Sequence, residues 1–308
     1  MSTVDASSDA VAAERPALLG VAYRMLGSFA EAEDAVQLGY ERWLRLPEAE
    51  RAGIRSPGAW LTRVVGRICL DELGSARARR EAYVGEWLPE PLPDAPGAFG
   101  GGRFSAAPPA DPAEHAELAE EVSTAMLLVL ETLTPAERVA FVLHEAFGLP
   151  FAEIAEVLGR SPGACRQLAS SARARVRAGR AGAASAEQHA AVVHAFLAAA
   201  ATGELDALVR LLDPDARLVA DGGGLVSAAR RPVLGAEHVA RYVLGIIEKR
   251  GAGLSISLRD SASGYVAVFA QDGVVDTVVS VEVREGRLSE LWLVRNPEKL
   301  ARWQEGAA

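Results

Sequence analysis

Tyr83-Val84-Gly85-Glu86-Trp87-Leu88-Pro89-Glu90-Pro91-Leu92 separates two long stretches of helical pattern. It reads as neither a core helix nor an open tether. Two X-Pro steps hold Leu88 and Glu90 extended, while Trp87 and Leu88 offer apolar area that a freely solvated linker has no reason to carry. The segment is therefore expected to dock on another part of the molecule. That stretch lies in the first half of a linker of residues 82–112, whose second half is different in kind. That second half completes a total of seven prolines and contains Gly100-Gly101-Gly102, a composition expected of a mobile connection.

Upstream, residues 15–80 read as helices throughout. One carries Leu18, Leu19, Ala22, Tyr23 and Leu26 on a face and stops near Gly27. Ser28 and Glu31 form a capping-box pattern for the next, which runs through Ala35, Val36, Tyr40, Trp43 and Leu44 to Pro47. A third opens at Ser56-Pro57, a cap residue followed by proline at the first helical position, and buries Trp60, Leu61, Val64 and Ile68. Domain 1–81 is thus expected to be a compact all-α unit.

Downstream, Thr134-Pro135-Ala136-Glu137 combines cap, first-position proline and capping acid. A short helix over 151–158, a tight connection at Gly159 and a helix capped by Ser161-Pro162 follow. The apolar positions Cys165, Leu168, Ala172 and Val176 of this last helix fall at helical spacing and leave Arg166, Gln167, Ser170, Ser171 and Arg173 on the other side. Domain 113–180 therefore reads as a second all-α unit containing a helix-turn-helix.

Past the small-residue hinge at 181–185 the pattern changes. Helices near 187–201 and 204–212 precede strand-like segments at 217–220 and 225–232, a helix near 236–249, and segments at 254–258, 265–271, 274–284 and 287–294. Asp272-Gly273 and Glu285-Gly286 mark hairpin turns. In 274–284, Thr277, Val279, Val281 and Val283 alternate with Val278, Ser280 and Glu282, the pattern of one covered and one more polar face. Helices followed by an antiparallel sheet imply an α+β cone over residues 185–308.

Charge is segregated along the chain. The formal net charge of −9 argues against a protein that coats DNA unaided. Yet residues 160–180 hold six arginines and no acid, and Arg77, Arg79 and Arg80 form a second cluster. Residues 82–159 carry thirteen acids against Arg103 and Arg138 alone. That distribution suits local DNA contact in a protein whose main affinity comes from a larger partner. No apolar run reaches membrane-spanning length, and residues 1–14 lack the order of a signal peptide, so a cytoplasmic location is expected. Cys69 and Cys165 lie far apart within helical patterns, as buried reduced thiols would, and the five histidines are scattered without ligand spacing.

These segments together resemble an extracytoplasmic-function sigma factor of the group with a SnoaL-like C-terminal extension, the sigma-J-like group. The match to the acidic helix of the family's second region lies in Glu31-Ala32-Glu33-Asp34-Ala35-Val36-Gln37. Trp60-Leu61 and Ile68-Cys69-Leu70-Asp71 match its helix over the melted strand. Residues 145–169 look like the fourth region, and Asp221-Gly222-Gly223-Gly224 and Asn296-Pro297-Glu298-Lys299-Leu300 are similar to two signatures of the C-terminal extension. The chain departs from the pattern at Leu38-Gly39, at Gly74, where a basic residue is expected, at Ser170-Ser171, in place of a basic pair, and at Leu225, in place of lysine.

The resemblance implies two all-α sigma modules followed by an NTF2/SnoaL-like cone. It implies core RNA polymerase and promoter DNA as partners, no membrane, no cofactor or metal, and no catalytic residue, since polymerase performs the chemistry. Glu33, Asp34 and Gln37 are the expected polymerase contacts. Arg166 and Gln167 are the expected base readers, because arginine suits guanine and glutamine adenine. Arg67, Arg77, Arg79, Arg80 and Ser170 are further expected DNA contacts, and Arg173, Arg175 and Arg177 are expected either to contact phosphates or simply to solvate the helix. Trp87, Leu88, Pro89, Asp221, Gly222, Gly223, Asn296 and Pro297 are expected to regulate the modules through the cone. A rival reading makes the cone an enzyme or a sensor of an unidentified small ligand; it needs an acid or base in a pocket, with Asp221, Asp276 and Glu290 as candidates.

Overall fold

The computed structural model describes residues 11–93, 123–180, 182, 184–261 and 264–304, without the side chains of residues 76–79, 81, 180 and 264. The second half of the linker, with its glycine run, lies outside the described residues. The described chain divides into two compact units, one of residues 11–79 and 126–179, the other of residues 80–93, 123–125 and the chain from residue 180 onward.

In the first unit, α1 (Arg15–Leu26) ends on Gly27, whose φ of 70° lets its N–H reach the Tyr23 carbonyl. Ser28 then accepts from the Glu31 N–H and opens α2 (Phe29–Arg45). A short α3 (Glu48–Gly53) leads to the long α4 (Pro57–Glu81), where Ser56 accepts from the Ala59 N–H. Leu18, Val21, Met25, Val36, Leu61 and Val65 are wholly buried. Trp43 is buried and meets the half-buried Trp60 edge to face at 5.3 Å.

The same unit contains α5 (Thr124–Glu131) from its third residue on, α6 (Pro135–Phe141), a π turn (Val142–Ala146), α7 (Phe151–Leu158) and α8 (Pro162–Arg180). Thr134 and Glu137 complete the expected reciprocal capping box. Gly159, at φ 62°, closes α7 and makes the tight connection. The two helical modules share one packed core instead of standing apart. Gly66 of α4 approaches the π turn so closely that a Cβ there would sit 3.2 Å from Leu143 Cδ1. Arg138, only 3% exposed, donates to the Met25 carbonyl at 2.7 Å and pairs with Glu131.

The second unit is an α+β cone. Six strands, β1 (Leu212–Asp221), β2 (Val233–Leu234), β3 (Leu254–Ser261), β4 (Gly264–Gln271), β5 (Val274–Arg284) and β6 (Arg287–Val294), lie in the order β2-β1-β6-β5-β4-β3. All pairs are antiparallel except β1 with β6. Both hairpin turns are as expected, with Asp272-Gly273 and Glu285-Gly286 at positive φ. Helices α9 (Ala186–Thr202), α10 (Leu205–Leu211) and α11 (Ala236–Arg250) pack Phe196, Leu208, Val239 and Val243 against Phe269, Val279, Leu291 and Leu293.

Two expectations fail here. Residues 225–232 form an irregular loop and not a strand, and only Val233–Leu234 pair with β1. The face of β5 opposite the helices is also buried, with Val278 at 0% and Ser280 at 6% exposure. Its cover includes a C-terminal turn and α12 (Ala301–Gln304), which Gln304 pins to both backbone groups of Val275. A strand whose second face is closed by an irregular tail keeps its alternation but loses the polar meaning of that alternation.

Candidate functional site: the recognition helix and the linker on the cone

Within the first unit, α8 carries the exposed residues Arg166, Gln167, Ser170 and Arg177 on the helix that follows the turn. Ser161 caps it by accepting from the Ala164 N–H at 3.2 Å. Arg173, expected to stand on the DNA-facing side, pairs with the buried Glu145 of the π turn. Glu137 holds the helix in the same way, accepting from Ser171 at 3.0 Å and Arg175 at 3.1 Å while it caps α6. Burial raises the affinity of Glu137 for its proton, but the bonds from Thr134 and Ser171 and the charge of Arg175 outweigh it and hold this carboxyl below its ordinary value. These internal carboxylates neutralise part of a helix that looks wholly basic in sequence.

On α2, Asp34 and Gln37 are exposed one turn apart, and Glu33 beside them pairs with Arg15 at 2.9 Å. On α4, Arg67 donates to the Val157 carbonyl in the last turn of α7 at 2.8 Å, where a cation also meets the negative end of the helix. Its neighbour Arg63 pairs with Glu153 and Glu156. The side chains of Arg77 and Arg79 lie outside the described residues. Arg80, grouped with them by sequence, belongs to the second unit and stands 3.7 Å above the Trp87 ring.

The second unit gathers the linker motif and both cone signatures into one cluster. Asp221, at the end of β1, is wholly buried. Its Oδ1 accepts from the Tyr83 hydroxyl at 2.6 Å and the Gly223 N–H at 3.0 Å. Its Oδ2 accepts from the Leu88 N–H at 3.0 Å and Lys299 Nζ at 2.7 Å. Lys299 also donates to the Leu88 carbonyl and lies 4.3 Å from the Trp87 ring centre. Asn296 donates to the Tyr83 hydroxyl oxygen at 2.9 Å, and its own Oδ1 accepts from the Glu298 N–H. Farther along, Trp303 Nε1 donates to the Pro91 carbonyl at 2.8 Å and Pro93 bridges Ser261. The linker thus runs from the end of β1 to the end of β3.

Burial pushes the Tyr83 hydroxyl to a higher pKa, and the bond to Asp221 and the charge of that carboxylate add to the effect. Burial pulls Lys299 down, with Asp221 opposing it. The glycines serve close approach: a Cβ on Gly222 would lie 2.5 Å from the Val226 carbonyl oxygen, and one on Gly223 would lie 2.6 Å from Asn296. Pro297 is exposed and starts the turn that delivers Lys299, while Leu88 and Pro89 are buried. Sequence reasoning missed Tyr83, Lys299 and Trp303. A lone aspartate ending an apolar strand needs a cation once buried, and Lys299 is the basic residue of the nearby signature.

With this geometry in hand, residues 10–79 match the family described as Sigma-70 region 2, and residues 123–176 that described as Sigma-70, region 4. The ECF RNA polymerase sigma factor SigJ of Mycobacterium tuberculosis (strain ATCC 25618 / H37Rv) is 40% identical over 296 residues, covering 92% of this chain and 90% of the relative. The chain belongs to the extracytoplasmic-function sigma factors of RNA polymerase. The probable ECF RNA polymerase sigma factor SigI of Mycobacterium tuberculosis (strain CDC 1551 / Oshkosh) is 35% identical over 303 residues, 97% of each chain. The crystal structure of the Mycobacterium tuberculosis extracytoplasmic function sigma factor SigJ has a TM-score of 0.71 at 36% identity, covering 96% of this sigma factor and 98% of that chain.

The cone of this sigma factor holds a small apolar cavity of about 30 Å³. Val193, Phe196, Val243, Phe269, Val279 and Leu291 are among its lining residues, and among the described residues Tyr265 supplies the one hydroxyl. None of the three acids that the enzyme reading requires reaches it. Asp221 is saturated by the linker cluster, Asp276 pairs with Arg250 at 2.9 Å, and Glu290 faces Arg217 at 4.0 Å. Burial raises the Glu290 pKa, and Arg217 and Arg284 counter it. Among the described residues no helix is long and apolar enough to cross a membrane, and no group of His, Cys, Asp and Glu is arranged to hold a metal ion. Cys69 and Cys165 are buried and unpaired.

Proposed function

We propose that this sigma factor binds core RNA polymerase through the α2 face bearing Glu33, Asp34 and Gln37, and places its first module on the minus-ten promoter element. In the same reading α8 reads the minus-thirty-five element, with Arg166 and Gln167 at base edges and Ser170, Arg173, Arg177, Arg67, Arg77, Arg79 and Arg80 as backbone contacts made on engagement. Residues 1–81 and 113–180 act as the two promoter modules, 82–112 as the linker, and 185–308 as a regulatory domain in the cytoplasm. The cone is a regulator and not an enzyme, a reading supported by the apolar lining of its cavity.

The observation that carries the regulatory part is the cluster around Asp221, in which both side-chain oxygens of one buried carboxylate are bonded to the linker. Elements ten and thirty-five positions upstream lie about 25 base pairs apart, roughly 85 Å along B-DNA. Modules joined by the 2.8 Å bond from Arg67 to Val157 cannot occupy both at once. The packed form is therefore the stored form, and promoter engagement separates α4 from α7. The linker, anchored to the cone, limits how far they part.

Run-off transcription with purified core polymerase, comparing the full chain, a chain cut after Ala184, and Trp87→Ala, tests this. Both changes should shift output from one cognate promoter in the same direction at equal polymerase occupancy. Identical output from all three would sink the regulatory role, and no promoter-dependent transcript from any would sink the whole reading.

A further inference from the structure

Resting on the reading of Arg166 as a base-edge contact, we propose that Phe151 is a positioning residue that aims Arg166 at its base, and so sets the sequence preference of the helix-turn-helix. The Arg166 guanidinium lies over the Phe151 ring, 5.3 Å from its centre, within the range at which an aromatic face attracts a cation. An exposed arginine otherwise samples many rotamers. One that rests on a ring face before DNA arrives loses less freedom when it forms a bidentate pair.

Phe151 is well placed to act as such a rest, because it is itself held. It is the first residue of α7, directly after Pro150, and its other neighbour is the His144 ring at 4.0 Å with 31° between the planes. His144 is fixed in turn, because its Nδ1 lies 2.9 Å from the Leu149 carbonyl and a carbonyl only accepts, so this nitrogen carries the proton. The π turn explains why two consecutive residues both serve α8. The wider turn presents His144 to Phe151 while Glu145 pairs with Arg173. Arg166 and Arg173 are two helical turns apart on one face, so the π turn supports that face at both ends. Among the described residues, the other cations over aromatic rings, at Phe147, Trp87, Phe269 and Tyr83, do not involve α8.

A packing role alone predicts something different. If Phe151 merely filled space, its loss would weaken binding to every sequence alike. The test uses holoenzyme assembled from the full-length chain, with binding measured to promoter fragments carrying each base at each position of the upstream element. Phe151→Leu keeps an apolar side chain and removes the ring. It should reduce discrimination at the single position read by Arg166 by about two- to five-fold while leaving preferences elsewhere intact, and Phe151→Tyr should restore it. His144→Leu leaves both Phe151 and Arg166 in place, and should shift the same position in the same direction by a smaller factor.

Unchanged discrimination in Phe151→Leu, or an equal loss at all positions, overturns the proposal. If Phe151→Leu does not fold, the His144→Leu profile decides by the same criterion. Arg166→Ala separates the two levels. If it relaxes one position that Phe151→Leu leaves alone, only the positioning role falls. If it changes no positional preference, no base contact exists to be aimed and the reading of Arg166 falls with it.

Discussion

The recognition helix and the docked linker use the same chemistry, carboxylate against cation, at opposite degrees of burial. In the linker cluster Asp221 and Lys299 have side chains 0% and 10% exposed, and every oxygen lone pair in use has a donor aimed at it. On α8, Glu145 and Glu137 are buried while their arginine partners are 37% and 46% exposed. A fully buried pair leaves a desolvated charge behind when either member is lost, whereas a half-exposed arginine can turn to water or to another anion. The linker contact is thus built as an all-or-none lock, and the arginines of α8 as a set that can exchange partners. An anion that drew Arg173 or Arg175 away would leave a buried glutamate without its partner, so the exchange carries a desolvation cost on the carboxylate side.

The largest test of that contrast is Asp221→Asn. It keeps the shape and strands the Lys299 ammonium, and should weaken linker docking by about 3–5 kcal/mol. Native-state hydrogen exchange at the Leu88 amide, which donates to Asp221, would report it as a large acceleration. An unchanged rate would break the comparison, since the pair would then behave like a surface contact.

Next comes Glu137→Gln, which should cost the second helical module about 1.5–3 kcal/mol through lost charge-assisted hydrogen bonds. Because the folded carboxyl titrates below its ordinary 4.5, its contribution is fully present above that value and disappears as pH falls through the lower folded value. Acid denaturation should therefore be less steep in the Gln variant than in the parent; parallel curves would show that Glu137 is not an acid-sensitive support.

Tyr83→Phe is expected to cost about 0.5–1.5 kcal/mol, with the opposite pH signature. The docked hydroxyl titrates above its ordinary 10.0, so its contribution is present below pH 10 and lost as pH rises from there through the folded value. Leu88 exchange protection, corrected for intrinsic rates, should fall across that window in the parent and be flatter in the variant. The smallest effect belongs to Arg63→Ala. Its ion pairs with Glu153 and Glu156 are part-exposed, so a change of about 0–1 kcal/mol that shrinks in high salt is expected. A salt-independent loss would mean that the α4–α7 contact is locked in the manner of the linker.

The helical periodicities, the caps at Ser28, Thr134 and Ser161 and the turns at Asp272 and Glu285 were legible because each depends on neighbours within a few residues. The cluster around Asp221 was half legible. Trp87 and Leu88 signalled docking and the glycines signalled close approach, but the lysine that neutralises the aspartate is 78 residues away in the chain. The false strand at 225–232 started from Leu225-Val226, but Leu225 is exposed and Ala228 and Ala229 pack on the cone's core from an irregular loop.

The family, the order of two helical modules and an α+β cone, and the local caps and turns can all be read from the residues alone, because periodicity, capping and turn chemistry are short-range. Which charges are neutralised, by contrast, follows from packing between residues far apart in the chain. Glu145 and Glu137 take arginines from α8, and Asp221 takes Lys299. A buried charge requires a partner but does not specify where along the chain that partner comes from; the packed core does, by bringing distant residues within hydrogen-bond reach and excluding the water that would otherwise serve.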